Sequence, residues 1–287
     1  MKFEIVAELA ARYPVKALCQ MLQVSRSGYY AWRKRGPSRR QQENEQLLVQ
    51  IKTVYEHGRG TYGYRRVYAA LVAKGIACGK HRVRRLMQMY RLQAKRKRRY
   101  RTTTESRHRL PIAPNRLARD FSATAANQKW VSDITFVPTY EGWLYLSVIL
   151  DLYSRLVVAW AMEPHLDKEL GLKALRMAIA GRRPLPGLLL HSDQGVQYAN
   201  KDFQKLLANH KAISSMSRKG DVYDNAPAES FFATLKRELI HFRTYQTRDE
   251  ARADIFEFIE VFYNRQRLHS ALQYSSPADY EAMLCAP

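Results

Sequence analysis

Three acidic residues of this chain stand where a single metal site could form. Asp133 interrupts an apolar, β-rich run, and Asp193 directly follows a second apolar run. Glu229 falls in the first turn of a predicted helix, where the helix dipole favours an acid. Each position alone has a structural explanation, but carboxylate oxygens are also the ligands that Mg²⁺ prefers. We therefore interpret the three acids together as a site for divalent metal ions.

The same residues predict a class of reaction. Two divalent ions ~3.5–4 Å apart can activate an attacking oxygen and stabilise a leaving oxygen at a phosphodiester. Lys236 lies seven residues after Glu229, close to two helical turns, so both project from one helix face roughly 10 Å apart. This face could hold a metal ion and a DNA phosphate. Asp133 is the most unusual of the three acids, because an acid inside an apolar strand is costly unless it is paired or metal-bound.

The order of apolar runs and turns predicts the elements that carry these acids. Three β-rich runs joined by tight turns, 131–138, 143–151 and 156–162, predict an antiparallel meander. A helix at 167–181 follows, and then a strand at 188–190 that is apolar enough to be buried on both faces. The next elements are a helix, a strand and a last helix, at 201–210, at 211–216 and from 225. This order predicts an α/β fold, a mixed five-stranded sheet with flanking helices.

The positive charge of the chain is confined to its first part. The 287 residues contain 48 Lys and Arg against 26 Asp and Glu, a formal net charge of +22. Residues 1–120 hold 29 of the cations and 7 of the anions, whereas residues 121–287 are electrically balanced. A polyanion, above all nucleic acid, is therefore the expected partner of the basic part.

Composition excludes several other classes of protein. Hydrophobic residues make up 46% of the chain, which excludes global disorder. The longest uncharged apolar stretch, 143–150, is far shorter than the ~20 residues of a membrane helix, and Glu4 and Glu8 argue against a signal peptide. The three cysteines are too few and too scattered for a disulfide framework or a Cys-based zinc site. We expect a soluble, cytoplasmic protein with no membrane contact.

The basic part divides into three segments. Residues 1–38 have a helix-turn-helix pattern, which indicates either a DNA-binding unit or a helical hairpin without a ligand. Residues 39–92 form a second helical DNA-binding segment, and 93–122 a basic linker that would lie along a duplex. No acid occurs between Glu56 and Glu105, which favours nucleic-acid binding over a solvated charged face. The expected DNA contacts of these segments are Arg65, Arg66, Arg82, Arg84, Arg85, Lys95, Arg96, Lys97, Arg98 and Arg99.

The acids lie in three short motifs, WVSDIT at 130–135, HSDQG at 191–195 and DNAPAESFF at 224–232. Fifty-nine residues separate the first two acids and 35 the last two. These motifs and spacings resemble those of bacterial insertion-sequence transposases of the IS-three family, in particular the product of the second reading frame, OrfB. Residues 24–30, 62–66 and 263–277 also match, so the resemblance covers essentially the whole chain. One departure is Gln273, where the family commonly has Gly.

The resemblance implies a fold and a reaction. The fold would be an RNase H-like core, shared with retroviral integrases, at 123–240, followed by a C-terminal helical segment at 241–287. Asp133, Asp193 and Glu229 would be the catalytic triad, holding Mg²⁺, with Mn²⁺ as a substitute and two ions when DNA is bound. The triad would cleave strands at the ends of the element and join the freed 3′-hydroxyl to another phosphodiester, without a covalent protein–DNA intermediate.

The resemblance also implies partners. Lys236 would contact the terminal DNA of the element, and the chain would act as a homo-oligomer on the double-stranded DNA of the ends and the target. An OrfA protein, or an OrfA–OrfB fusion made by frameshifting, would supply further recognition of the ends. No sustained heptad pattern occurs in this chain, which agrees with a separate zipper on OrfA.

Two other functions stay open on the sequence alone. A catalytically inactive DNA-binding regulator of transposition would need only the basic part, and it would have no need of three acids and Lys236. An integrase or nuclease of the same fold could act on non-transposon DNA, and it would differ by lacking specificity for element ends.

Several single residues also receive an interpretation. Asp151 is expected to be structural rather than a fourth metal ligand, and His191 is expected to be a packed or capping histidine. Three tryptophans in or beside strands are expected in the core: Trp130, Trp143 and Trp160. Three residues near the end of the chain are expected to contact either DNA or a second protomer: Arg265, Arg267 and His269.

Overall fold

The computed structural model describes residues 2–95, 110–218, 221 and 223–285. Five strands form one sheet: β1 Lys129–Thr139, β2 Gly142–Asp151, β3 Val157–Glu163, β4 Leu189–Ser192 and β5 Ile213–Met216. Their order in the sheet is β3-β2-β1-β4-β5. β1, β2 and β3 form an antiparallel meander, while β4 pairs in parallel with both β1 and β5. The prediction of a mixed five-stranded sheet is confirmed.

Helices precede, interrupt and follow this sheet. They are α1 Lys2–Leu9, α2 Val15–Met21, α3 Arg26–Lys34, α4 Arg39–His57, α5 Tyr64–Ala73, α6 Lys80–Met89, α7 Lys168–Arg182, α8 Val196–Ala199, α9 Lys201–Asn209, α10 Ala226–Glu238, α11 Arg248–Glu257 and α12 Pro277–Cys285. A π-helical turn, Phe258–Tyr263, continues α11. Across the described ranges, every helix is too short or too polar to cross a membrane.

The helices cover both faces of the sheet, because successive side chains of a strand point to opposite faces. On β2, Leu146 and Val148 belong to one apolar cluster and Ile149 to the other. The Ile149 cluster includes α7, α8 and α9, and the second cluster includes α10, α11 and the π-helical turn. The carboxyl ends of β1 and β4 thus lie between two layers of helices.

Helices α1–α3 share a small core of their own. Val6, Leu18, Cys19 and Tyr29 are buried together there. The side chain of Ser25 caps α3 by accepting a backbone N–H at 3.0 Å, a bond that satisfies one of the free donors of a helix start. Three helices joined by short turns confirm the helical pattern predicted for residues 1–38.

Helices α4–α6 pack against the C-terminal part of the chain. The Tyr62 hydroxyl donates to the carbonyl of Gln266 at 3.2 Å and accepts the N–H of Leu268 at 2.9 Å. The guanidinium of Arg59 lies 4.2 Å from the centre of the Phe262 ring. One apolar cluster joins α4–α6, the sheet and α10–α11. The proposed boundaries after residues 92, 122 and 240 stay predictions, and this cluster crosses all three.

The three tryptophans differ in burial. Trp130 is fully buried, and Trp160 is partly buried, with its Nε1–H donating to Glu260 at 2.7 Å. Trp143 is 48% exposed and packs edge-on against Phe136. The prediction that Trp143 belongs to the core is therefore wrong. Trp143 lies near the start of β2, and its side chain points to the opposite face of the sheet from that of the buried Leu144.

A buried polar network ties β4 and β5 to the segment before β1. Ser215 Oγ accepts the N–H groups of Arg116 and Leu117, at 2.9 and 3.1 Å, and lies 2.8 Å from His191 Nδ1. The hydroxyl must therefore donate to Nδ1, which leaves the imidazole proton on Nε2, 3.1 Å from Ser217 Oγ. The interpretation of His191 as a packed histidine is confirmed.

We expect Tyr62→Phe to weaken the attachment of α4–α6 to the C-terminal part. The change leaves the Gln266 carbonyl and the Leu268 N–H without their partner, and a part-buried group that loses its hydrogen bond costs about 1–3 kcal/mol. Urea unfolding should show a lower free energy of unfolding by that amount. Tyr140→Phe, at a side chain that is 75% exposed, is the control, and equal stability of both variants would contradict the account.

We expect His191 to make the fold sensitive to acid. Burial lowers the pKa of His191 to about 4, so protons bind more tightly to the unfolded chain, where a histidine titrates near ~6.5. The free energy of unfolding should therefore fall as the pH drops from about 6.5 towards 4, by about 2 kcal/mol from this residue between about pH 7 and 5. In His191→Gln this part of the pH dependence should disappear from urea unfolding curves. An unchanged pH dependence in the variant would show that His191 does not cause it.

Candidate active site

The two strands that carry Asp133 and Asp193 are neighbours in the sheet. β1 and β4 pair in parallel, with Val131 opposite His191. Asp133 and Asp193 each follow two residues later, so continuing the register places them side by side at the carboxyl ends of the strands. Ligand sites of open α/β sheets form at these ends.

The Asp133 carboxyl group is subject to several opposing electrostatic influences. Burial raises the pKa of the Asp133 carboxyl well above its usual range, and the neighbouring Asp193 carboxylate raises it further. The N–H of Ile134, which donates to Asp133 Oδ1 at 2.8 Å, acts in the opposite direction. Glu229 also raises this pKa and Lys236 lowers it. The other three residues predicted for the site therefore all act on the Asp133 carboxyl group.

The turn after β4 fixes Asp193. The N–H of Gly195 donates to Asp193 Oδ1 at 2.9 Å, which closes a turn around the carboxylate. A Cβ atom at position 195 would lie 2.9 Å from Asp193 Oδ1 and 2.9 Å from the amide oxygen of Gln197. A larger residue at position 195 would displace the Asp193 carboxylate or the Gln197 amide, so the turn favours glycine at the end of the HSDQG motif.

Glu229 is brought to the site by the start of α10. Asn225, which precedes the helix, donates from Nδ2 to the carbonyl of Ser132 at 3.2 Å. This bond holds the helix start beside the residue that precedes Asp133. Glu229 lies in the first turn, on the exposed side, and partial loss of solvent raises the pKa of its carboxyl.

Lys236 lies two turns further along α10, as the sequence predicts. Its Nζ is 5.3 Å from the centre of the Phe136 ring on β1, a cation–π contact. Burial lowers the pKa of Lys236, and attraction to Asp133 opposes this shift. The ammonium group is thus held on the same side of α10 as the acids.

The three predicted metal ligands do not form a closed metal-binding site. Among the residues that the structure describes, no three His, Cys, Asp or Glu side chains are grouped closely enough to hold an ion between them. Asp151, the further acid near the core, is fully buried and accepts backbone N–H groups from Asn127, Tyr153 and Ser154 and the indole N–H of Trp130. Its interpretation as a structural residue is confirmed.

Sequence reasoning missed two residues that support the site. The Tyr198 hydroxyl lies 3.0 Å from Ser132 Oγ, and burial together with the charges of Asp193 and Asp133 raises the pKa of Tyr198. Asp224 is also fully buried, and the Arg218 guanidinium holds its pKa well below the usual range. The Ser132 partner of Tyr198 and the Arg119 and Asn115 partners of Asp224 are distant in sequence, so no local pattern indicates these contacts.

Asp224 holds the start of α10 to the rest of the domain. Its carboxylate accepts from Arg218 Nε and Arg119 Nε, both at 3.0 Å, and from the side-chain amide of Asn115 at 2.8 Å. These partners come from the segment before β1 and the segment after β5. The ion pairs therefore position Glu229, five residues later, from both sides.

Some of the predicted DNA-binding cations have partners within the chain. Arg66 Nη1 lies 3.9 Å from Glu238, and Arg82 donates to Asn44 at 2.7 Å and lies 3.5 Å from Glu43. Residues 57–104 contain no acid, but Glu43 of α4 lies beside the cationic face of α6. The predicted contact of these two arginines with DNA is not tested by this geometry and stays a prediction.

The remaining predicted DNA contacts that the structure describes lie on α5, on α6 and in the segment that follows α6. Arg65 and Arg84 lie about the Tyr64 ring, at 6.0 and 5.7 Å from its centre. Arg85 is exposed on α6, and Lys95 follows that helix. Four more of the predicted DNA contacts lie outside the described residues: Arg96, Lys97, Arg98 and Arg99.

Near the end of the chain, Arg267 is held inside the protein. It is 4% exposed, and both of its bonds to the carboxylate of Glu238 are 2.7 Å long. A contact of Arg267 with DNA or a second protomer is therefore contradicted, because a bidentate partner within the chain already uses its guanidinium. The departure at Gln273 also has a structural meaning: its φ is 53°, in the left-handed region that favours glycine.

Comparison with known proteins extends these observations. Residues 123–222 and 229–284 match families described as integrase core domains, and residues 42–100 match an HTH-like domain. The latter match falls on α4–α6. Two retroviral structures are weakly similar, each with 16% sequence identity. The match to a simian T-cell lymphotropic virus intasome has a TM-score of 0.48 and covers 76% of this chain and 70% of that chain. The match to the HTLV-2 integrase catalytic core domain in complex with magnesium has a TM-score of 0.43 and covers 56% of this chain and 99% of that chain.

Full-length relatives are much closer in sequence. The 31 kDa protein of insertion element IS600 from Shigella sonnei is 48% identical over 263 residues, 92% of this chain and 97% of the relative. Transposase InsF of insertion sequence IS3A from Escherichia coli is 38% identical over 283 residues, 98% of both chains. With identities of this size over nearly the whole length, the chain belongs to the IS3 family of insertion-sequence transposases.

Proposed function

We propose that this chain catalyses metal-dependent cleavage of DNA at the ends of an insertion sequence and transfer of the freed 3′-hydroxyl to another phosphodiester. The observation that supports the proposal is the parallel pairing of β1 with β4, two interior strands of the sheet. Continued by two residues, this register brings Asp133 beside Asp193 at the carboxyl ends of the strands. Glu229 and Lys236 act electrostatically on the same carboxyl group. Membership of a transposase family supplies the substrate, DNA.

The acids fit a divalent metal ion. Their oxygens are hard ligands. Burial and, after it, repulsion by Asp193 raise the pKa of Asp133, and a cation shared between the carboxylates would relieve that repulsion. Asp133, Asp193 and Glu229 would hold Mg²⁺ or Mn²⁺, two ions with DNA bound, and the metal would supply polarisation of the phosphodiester and activation of the attacking oxygen. The chain itself orients the strand in line for displacement.

Lys236 is proposed to hold the terminal strand. Its ammonium lies on the side of α10 that faces Asp133 and is supported by the Phe136 ring. A phosphate bound there would keep the next phosphodiester near the acids. Because the attacking group is water in cleavage and a 3′-hydroxyl in joining, neither step needs a nucleophile from the protein.

The basic part is proposed to bind the duplex and place its end at the acids. Among the predicted DNA contacts that lie within the described residues, four form no ion pair there: Arg65, Arg84, Arg85 and Lys95. We further propose that the chain acts as a homo-oligomer on DNA, in the bacterial cytoplasm, and with an OrfA protein or an OrfA–OrfB fusion for recognition of the ends.

We expect Asp193→Asn to abolish the reaction. Loss of one ligand removes several kcal/mol of metal stabilisation from the transition state, hence at least about 100-fold in rate. The measurement is cleavage and strand transfer of end-containing DNA with Mg²⁺ or Mn²⁺, resolved on a denaturing gel.

The matched control is Asp202→Asn, which removes an exposed carboxylate of α9. Undiminished products from Asp193→Asn would show that the acids are not the site. Binding of the DNA by the unaltered chain without any cleavage would instead identify a catalytically inactive regulator.

A further inference from the structure

A cleft of ≈ 250 Å³ lies on the flank of α10 away from the acids. Ser230 and Thr234 line it from α10, roughly 100° and 140° around the helix from Glu229. Arg155, from the turn between β2 and β3, and Tyr263 and His269, from the C-terminal part, line the other sides. The cleft is therefore separate from the candidate active site, although both share α10.

Three side chains of this cleft, those of Arg155, His269 and Ser230, can donate hydrogen bonds into it. None of its lining residues is Asp or Glu. His269 Nδ1 accepts the N–H of Ala271 at 3.3 Å, so the proton of the neutral imidazole is on Nε2, which can donate. The hydroxyl of Ser230 lies at the exposed side of the same wall. Such a set of donors suits an anion.

The positive charge of Arg155 is not matched by an ion pair in the described part of the chain. Two neighbouring guanidinium groups, those of Arg66 and Arg267, share the single carboxylate of Glu238, at 3.9 and 2.7 Å. Asp151 attracts Arg155, but its two oxygens already accept four N–H groups. A half-buried guanidinium without a partner carboxylate is costly unless an anion arrives.

The size of the cleft limits the ligand. It is smaller than the ~300–1,000 Å³ of clefts that enclose drug-sized molecules, so it suits a phosphate group rather than a whole nucleotide. We propose that the cleft binds one phosphate of the DNA backbone through Arg155, His269 and Ser230, on the opposite flank of α10 from the strand that is cut. This inference rests on the proposed function only in taking DNA as the substrate.

The test uses two arginines with the same backbone conformation. Arg155 and Arg183 both have positive φ, 59° and 44°, so glycine is tolerated at either position. Arg155→Gly and Arg183→Gly each remove one charge, but only the first lines the cleft. Binding of an end-containing duplex is measured by fluorescence anisotropy at several salt concentrations, in a chelator so that no turnover occurs.

We expect Arg155→Gly to weaken DNA binding by about 5- to 10-fold near 0.1 M salt and to reduce the slope of log affinity against log salt by about 1. Arg183→Gly should stay within about 2-fold of the unaltered chain, and circular dichroism should show both variants folded. Equal affinity and slope for the two variants would overturn the proposal.

A second arm distinguishes DNA from a free anion. Inorganic phosphate is titrated into the unaltered chain and into Arg155→Gly while the midpoint of thermal unfolding is followed. If phosphate stabilises only the unaltered chain and both proteins bind DNA equally well, the cleft is a site for free anions, and the proposed DNA contact is overturned. Cleavage with Mn²⁺ is assayed in parallel. A chain that does not cleave but still shows the lowered salt slope in Arg155→Gly would refute the proposed reaction and leave the phosphate cleft in place.

Discussion

The repulsion between Asp133 and Asp193 is the constraint on which the site depends. Parallel pairing of β1 and β4 forces the two carboxyl groups together at the edge of the sheet, whether or not a cation is present. Burial and then this repulsion raise the pKa of Asp133, so its ionised form destabilises the folded chain at neutral pH. A fold retains such an interaction where it serves a function, and binding of a divalent cation is the function that relieves it.

Much of the surrounding structure holds the start of α10 near these two acids. Asp224 joins the helix start to Arg119 and Arg218, and Asn225 joins it to the carbonyl of Ser132. The same helix then presents its two flanks to different surroundings, with Glu229 and Lys236 on one and the Arg155 cleft on the other. Because α10 is attached rigidly, it fixes the position of the proposed metal site relative to the proposed phosphate cleft.

The sequence predicts the parts of this molecule that depend on local patterns. The five strands, the turn at Gly195 and the helix carrying Glu229 and Lys236 follow from periodicity and turn chemistry within a few residues. Contacts between distant segments are not encoded locally, so the ion pairs of Asp224 with Arg119 and of Arg267 with Glu238 could not be predicted. The exposure of Trp143 was missed for a related reason, because burial depends on which part of the sheet the helices cover.

Thermal unfolding of the unaltered chain and of Asp133→Asn, each in a chelator and in Mn²⁺, tests the central claim most directly. In the chelator, the variant should unfold at a higher temperature, because it lacks the carboxylate that Asp193 repels. In Mn²⁺, the unaltered chain should gain stability and the variant should not. A variant that is no more stable in the chelator, together with an unaltered chain that does not respond to Mn²⁺, would contradict the account.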